Sequence, residues 1–456
     1  MIAQTPYRHD PPPASFAARS DHYLHLVRRK DLLKMNGRVT KVIGLVIESN
    51  GPHASIGDVC IVKSKDDVEL SLCEVVGFRE NKVLSMVLGE AEKISPGCEI
   101  ISTGHPLAAR VGPALLGRVI DGLGNPIDGK GPILATEERS IYNAPPNPLE
   151  RTRIGKPIAT GIRSIDALRT LGKGQRVGIF AGSGVGKSVT MGMIARNTSA
   201  DVNVICLVGE RGREVGEFIE RELGPEGLKR SVVIVATSDK AALIRIKSVF
   251  IATTIAEYFR DRGMDVMLMM DSITRLAMSQ REVGLAIGEP PTTKGYTPSV
   301  FAMLPKVLER AGTAGKGSIT GLYTVLVEGD DMNDPIADTV RSILDGHIVL
   351  SRRLAAGGHY PAVDVLGSVS RVFTAVTAEE HRASVQRFLD TMATYAEAED
   401  LINIGAYAKG SNPKIDEAIR RIEAYRKFLR QKESEHCPLE ESIARLASVV
   451  QNPSEE

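Results

Sequence analysis

The sequence has no CxxC pair among its five cysteines, no excess of charge of either sign, no tryptophan and no run of eighteen uncharged apolar residues. Each absence except that of tryptophan excludes something. Cys60, Cys73, Cys98, Cys206 and Cys437, three of them inside apolar strand-like runs, offer no disulfide or zinc framework and are expected as buried thiols of a reducing compartment. A formal net charge of +1 provides no global field to hold the chain on nucleic acid or an anionic membrane. With no spanning segment, and no apolar stretch in "MIAQTPYRHDPPPASFAARS" to act as a signal peptide, a cytoplasmic protein is expected.

The 456 residues suffice for two or three domains. Residues 1–34 carry a Pro11-Pro12-Pro13 break and then "FAARSDHYLHLVRRKDLLK". That stretch reads either as a partner-binding or membrane-surface helix, with Phe16, Tyr23, Leu24 and Val27 on one side, or as a disordered tail. Residues 35–105 hold five strand-like runs, "RVTKVIGLVIES", "DVCIVKS", "ELSLCEVVGF", "KVLSMVL" and "CEIIST", parted by turn signals such as Gly51-Pro52 and Ser95-Pro96-Gly97. They predict a small β-barrel. Within 106–377, β-rich runs at 175–180, 202–209, 231–237, 265–270, 318–327 and 346–350 alternate with helical stretches, which predicts a mostly parallel sheet flanked by helices. Residues 378–456 place Val385, Phe388, Leu389 and Met392, then Ile415, Ile419, Ile422, Tyr425 and Leu429, at helical spacing.

The stretch most suggestive of chemistry is "AGSGVGKS", residues 181–188. Gly182, Gly184 and Gly186 let the backbone turn tightly, so that the N–H groups of Gly182, Ser183, Gly184, Val185, Gly186, Lys187, Ser188 and Val189 can surround an anion. A strand-like run precedes the loop and a helical one follows, the context of a phosphate-binding P-loop. A dinucleotide fingerprint fails, because Lys187 stands where its third glycine belongs. Three further positions can serve phosphate chemistry. Asp271 ends the apolar run 266–270 and can hold the water shell of Mg²⁺ bound also to the Ser188 hydroxyl, or can cap the next helix. Glu210, after the run ending in Gly209, can polarise water, or can sit in a salt-bridge cluster with Arg211, Arg213 and Glu214. Arg371 in "GSVSRV" can steady phosphoryl charge, or can simply solvate the surface.

Together these pieces resemble a known family. "GRVIDGLGNPIDGKGPI", "TGIRSIDAL", "GERGRE", "MMDSITR", "EPPTTKGYTPSVF", "DDMNDPIADTVRSILDGHIVLSR" and "YPAVDVLGSVSR" are similar to the catalytic subunits of rotary ATP synthases and their relatives, from about residue 37 to the C-terminus. "APPNPLERTRI", "LINIGAYAKGSNPKIDEAI" and the loop wording "GSGVGKS" narrow the likeness to the flagellum-specific ATPases of the type III protein export apparatus. Ala181 departs from the strict loop pattern at a place where that family tolerates alanine.

The resemblance implies an N-terminal β-barrel, a central α/β RecA-like P-loop ATPase domain and a C-terminal α-helical domain. It implies that ATP and Mg²⁺ are bound, Lys187 touching the β- and γ-phosphates and Ser188 and Asp271 serving the metal. Glu210 would activate water with Arg211 in support, Arg371 would reach a neighbouring subunit's nucleotide, and Tyr360 would stack on adenine. Tyr360 also reads as a core tyrosine before Pro361. The family further implies a homohexamer and chaperone release and unfolding of export substrates. Its implied partners are a negative regulatory subunit on residues 1–34, a central stalk protein, export gate membrane proteins and chaperone–substrate complexes, with peripheral association at the inner membrane. An injectisome secretion ATPase is the nearest alternative. A hexameric RNA translocase would need an aromatic, basic barrel face, and residues 37–103 hold one aromatic, Phe78, so no nucleic acid partner is expected.

Overall fold

The computed structural model describes residues 36–89, 91–134, 137–327, 329 and 331–451. The described residues divide into two compact units, parted between His105 and Pro106. The predicted segment 1–34 lies outside the described residues.

In the first unit, six strands close into a barrel: β1 (Gly37–Ile43), β2 (Val46–Asn50), β3 (Asp58–Lys63), β4 (Glu69–Arg79), β5 (Lys82–Val87) and β6 (Glu99–Pro106), in the order β1-β2-β5-β4-β3-β6. Side chains alternate between core and solvent along β1, as a half-buried strand requires. Val39, Ile47, Cys60, Val62, Cys73, Val75 and Ile100 fill the interior. The run at 38–49, expected as one strand, is a hairpin. Gly44, with φ of 57°, turns the chain where the sequence shows no proline or asparagine.

The second unit is built on one sheet. Its main strands are β7 (Arg118–Asp121), β8 (Arg176–Ala181), β9 (Val202–Val208), β10 (Ser231–Ala236), β11 (Asp265–Asp271), β12 (Ser318–Leu326), β13 (Gly346–Leu350) and β14 (Val363–Ser370). Their order is β14-β13-β8-β12-β11-β9-β10-β7, parallel throughout except for β14. Every residue of β9 and β10 is buried, which explains why such strands read as continuous apolar runs. Strand β7 was not foreseen: four residues are too few to show a period, and it joins the sheet beside β10, more than a hundred residues downstream.

Helices cover the sheet, among them α1 (Arg163–Leu168), α2 (Lys187–Asn197), α3 (Ala242–Arg260) and α4 (Ile273–Ile287). The C-terminal region is helical as expected: α5 (Glu379–Asn403), α6 (Pro413–Leu429) and α7 (Leu439–Gln451). It does not have a separate core. Val385, Phe388, Tyr425 and Leu446 belong to the same apolar cluster as Val177 and Ile179 of β8. On α6 the buried stripe runs through Ala418, Ile422, Tyr425 and Leu429, which leaves Ile419 37% exposed, contrary to its predicted place on the packed face.

All five cysteines are buried free thiols. Among the described residues no helix is long and apolar enough to cross a membrane.

Candidate nucleotide site

In an open parallel sheet the carboxyl ends of the strands form the natural ligand edge. The register here aligns Ala181 of β8 with Leu326 of β12 and Leu350 of β13, and Leu207 of β9 with Asp271 of β11. The loop 182–186, Glu210 and Asp271 therefore leave the sheet along one edge. A cavity of about 600 Å³ opens there, and its walls include Gly182, Ser183, Gly184, Gly186, Lys187, Ser188, Val189, Glu210 and Arg211. Val185 differs from its neighbours: its side chain is buried in the core, so only its backbone can serve the loop.

Gly186 is the N-cap of α2, in the left-handed region at φ 84°, and contributes no side-chain cap. The first N–H groups of α2 are thus left to whatever fills the cavity, and the positive end of the helix dipole favours an anion. Lys187, in the first turn, directs its ammonium between two carboxylates, with a hydrogen bond to Asp271 Oδ1 and an ion pair to Glu210 Oε1 at 3.5 Å.

Asp271 does not cap the next helix. It is the last residue of β11, and its Oδ1 also accepts a hydrogen bond from Thr324 Oγ1 at 2.7 Å. Ser272, joined to it by a cis peptide, caps α4 by accepting from the Arg275 N–H. The helix-cap role open to Asp271 in the sequence thus falls to its neighbour.

Glu210 touches the surface cluster only through Glu214, and its charge partners lie elsewhere. Arg211 pairs with Glu214 at 3.5 Å and Arg213 with Glu217 at 2.8 Å, whereas Glu210 faces Lys187 and, at 3.4 Å, the Arg275 guanidinium. Glu210 is only 7% exposed, and its Oε1 has no hydrogen-bond partner among the described residues. Burial is the main cause that pushes its carboxyl up to about 7. Lys187 opposes the rise, the negative charge of Asp271 and a hydrogen bond with the Glu214 side chain add to it, and Arg275 pulls weakly downward.

Arg275 was missed in the sequence, where it was only the last letter of "MMDSITR". The signal was its spacing: four residues after Asp271, on the first turn of α4, it returns to the strand edge. There it also donates to the Gly209 carbonyl. Gly209 has φ of 67°, and a Cβ on it would lie 2.9 Å from the Arg275 side chain, so glycine lets the two pack.

Two predicted residues lie elsewhere. Tyr360 is 47% exposed outside this cavity, with its ring edge 3.5 Å from the position a Cβ on Gly186 would take, and it lines a neighbouring open cleft of about 960 Å³. It is therefore a surface aromatic beside the loop and not a core tyrosine. Arg371 follows β14, which runs antiparallel to β13. Ser370 pairs with Gly346 at the start of β13, whereas Leu350, at its other end, pairs with Ala181. Arg371 is thus at the opposite edge of the sheet, the length of a five-residue strand or roughly 15 Å away, beyond the reach of its own side chain.

Fold and site together define a P-loop protein with an anion cradle, a lysine at its mouth and a buried carboxylate facing it. Sequence models of the ATP synthase alpha/beta family match residues 39–104 with the beta-barrel domain and 161–370 with the nucleotide-binding domain, and the T3SS EscN ATPase C-terminal domain matches 377–448. The flagellum-specific ATP synthase of Bacillus subtilis is 55% identical over 435 residues, 95% of this chain and 99% of that protein. The type 3 secretion system ATPase of Xanthomonas euvesicatoria is 51% identical, covering 91% of this chain and 94% of that one. The assembled ATPase EscN of the enteropathogenic E. coli type III secretion system superposes with a TM-score of 0.86 at 46% identity, over 91% of this chain and all of that one, and with 0.84 in its complex with its central stalk EscO. The chain belongs to the ATP synthase alpha/beta family, among the flagellum-specific and type III secretion ATPases.

Proposed function

We propose that this chain hydrolyses ATP to energise flagellar type III protein export, releasing chaperones from export substrates and unfolding them at the export gate. The observation that carries the reading is the arrangement of Lys187 at the uncapped start of α2, with the buried Oε1 of Glu210 facing its ammonium at 3.5 Å. In this reading the N–H groups of 182–189 hold the phosphates and Lys187 reaches the β- and γ-oxygens. Glu210 polarises a water and takes its proton as the water oxygen attacks the γ-phosphorus and the bond to the ADP oxygen breaks. Arg275 holds Glu210 in place, Arg211 supports the γ-phosphate, and Tyr360 stacks on the adenine.

The donors fit magnesium: the Ser188 hydroxyl on the cavity wall and the Asp271 carboxylate, which holds the ammonium of the cavity residue Lys187, are hard oxygen ligands. Ser188 and Asp271, the latter through water, would hold the ion, which supplies charge neutralisation at the phosphates.

Arg371, too far from its own cradle, serves the next copy in a homohexamer. The assembled state of EscN and its complex with a stalk protein support a ring around a central stalk. The boundaries near 35, 106 and 378 then separate a docking tail for the regulatory subunit, a barrel, a motor and a helical region. The assembly sits in the cytoplasm against the inner-membrane export apparatus.

Expression in a Bacillus subtilis strain lacking its flagellar ATPase tests the export role. The chain is expected to restore swimming and Lys187→Ala is not. The match of 377–448 to the EscN C-terminal domain favours a second reading, an injectisome ATPase. Failure to restore swimming combined with rescue of an injectisome mutant would establish it.

A further inference from the structure

We infer that Gln431, a residue outside the catalytic cavity, is the positioning residue of the nucleotide's aromatic platform. It clasps the C-terminal helical region to the loop carrying Tyr360, and so sets the affinity for the base-bearing part of ATP. The inference rests on the reading of Tyr360 as the adenine platform.

Gln431 follows α6 and is 5% exposed, and its side chain uses both ends of its amide. Oε1 accepts the Arg163 N–H at 2.8 Å, and Nε2 donates to the Gly161 carbonyl at 2.8 Å and the Glu435 carbonyl at 2.9 Å. With an N–H on one side and two carbonyls on the other, only one amide orientation satisfies the site. The backbone N–H of Gln431 donates to the Tyr360 carbonyl at 3.0 Å. One buried residue therefore joins three pieces of chain: the segment that enters α1, the segment that leaves α6, and the loop before β14.

The segment that enters α1 is itself firmly held. Asp166, fully buried, accepts from the Thr160 N–H at 2.8 Å, the Thr160 hydroxyl at 2.7 Å and the Gly161 N–H at 2.9 Å. The amide of Gln431 is thus anchored on a rigid support. Tyr360 is held from its backbone alone, since its hydroxyl makes no hydrogen bond among the described residues and its ring is half exposed over Gly186. A ring fixed only from behind moves when its support moves, and a displacement of the order of 1 Å suffices to spoil a stacking geometry.

Gln431→Glu tests this in the full-length chain. The substitution keeps the bulk and the acceptor for Arg163, but sets an oxygen against the Gly161 and Glu435 carbonyls and opens the clasp. The expected result is a rise of about tenfold in KM for MgATP, with kcat falling no more than about threefold. Tripolyphosphate with magnesium occupies the phosphate cradle without a base. Its inhibition constant against ATP hydrolysis should stay within about twofold of the wild-type value, which general damage to the site would not allow. On a Tyr360→Ala background the Gln431→Glu change should add nothing further to KM.

An unchanged KM in Gln431→Glu, a parallel rise in the tripolyphosphate constant, or multiplying effects in the double variant would overturn the inference. If Tyr360→Ala alone leaves KM unchanged, the platform reading itself falls. A rise in Tyr360→Ala without one in Gln431→Glu removes only the clasp. Gln431→Met, equal in bulk and without polar ends, takes the same tests if circular dichroism shows that the glutamate variant is unfolded.

Discussion

Glu210 meets two requirements of a general base: its carboxyl is buried against the phosphate cradle, and it is pushed up to about 7, near the working pH. Glu210→Gln should bind MgATP within a few-fold of wild type yet lose at least about a hundredfold in kcat, because the grip of Lys187 survives while proton acceptance does not. Equilibrium binding together with steady-state hydrolysis checks this, and substantial turnover by a folded variant would contradict it. The sign of the pH dependence follows from which form works. Only the carboxylate accepts a proton, so kcat/KM, which reports the free enzyme, should fall as the pH drops below about 7 and level off above it. Arg275 pulls the Glu210 carboxyl down, so Arg275→Gln should move this acid limb to higher pH. A profile of log kcat/KM flat from pH 6 to 8 in wild type would contradict the assignment. Of these residues, Lys187 was legible in the sequence because it closes a glycine loop, and Asp271 and Glu210 because each stands at the end of an apolar run. Arg275 was not, because a helix brings it back to the strand edge and nothing in its letter shows that return.

At the scale of elements, α2 carries the cradle, and its own position depends on a close contact. A Cβ on Gly192, in the middle of this helix, would lie 2.6 Å from the Glu222 Cβ and 2.9 Å from the Glu222 carbonyl oxygen. Helix propensity alone would make Gly192→Ala stabilising by about 1 kcal/mol. The backbone contact makes it destabilising by about 1–3 kcal/mol, as overpacking generally is. Thermal and denaturant midpoints of the purified variant check the sign, and a raised midpoint would show that the Glu222 segment yields freely. The same scale shows why the central sheet could be read in advance and parts of the periphery could not. Strands such as β9 and β11 are buried along nearly their whole length and announce themselves as apolar runs. The hairpin at Gly44 lacks turn residues other than one glycine, β7 is too short to show a period, and the exposure of Ile419 depends on how α6 sits against its neighbours. These are tertiary choices that a local pattern does not encode.

For the whole molecule, the decisive feature is the distance between Arg371 and the cradle of its own chain. Ser370 pairs with Gly346 at one edge of the sheet, and the cradle opens at the other, beyond Ala181 and Leu350. If Arg371 stabilises the transition state, it does so for a neighbouring copy, and each active site joins the Lys187 of one subunit to the Arg371 of the next. Lys187→Ala and Arg371→Ala proteins should each be nearly inactive alone. The most direct test mixes the two in one assembly, over several ratios, with oligomers confirmed by light scattering. Where an Arg371→Ala subunit contributes an intact cradle and a Lys187→Ala subunit the intact arginine, hydrolysis should return, to a maximum at an intermediate ratio. Confirmed mixed assemblies with no activity above either single variant at any ratio, or an Arg371→Ala monomer as fast as the wild-type assembly, would contradict the shared site.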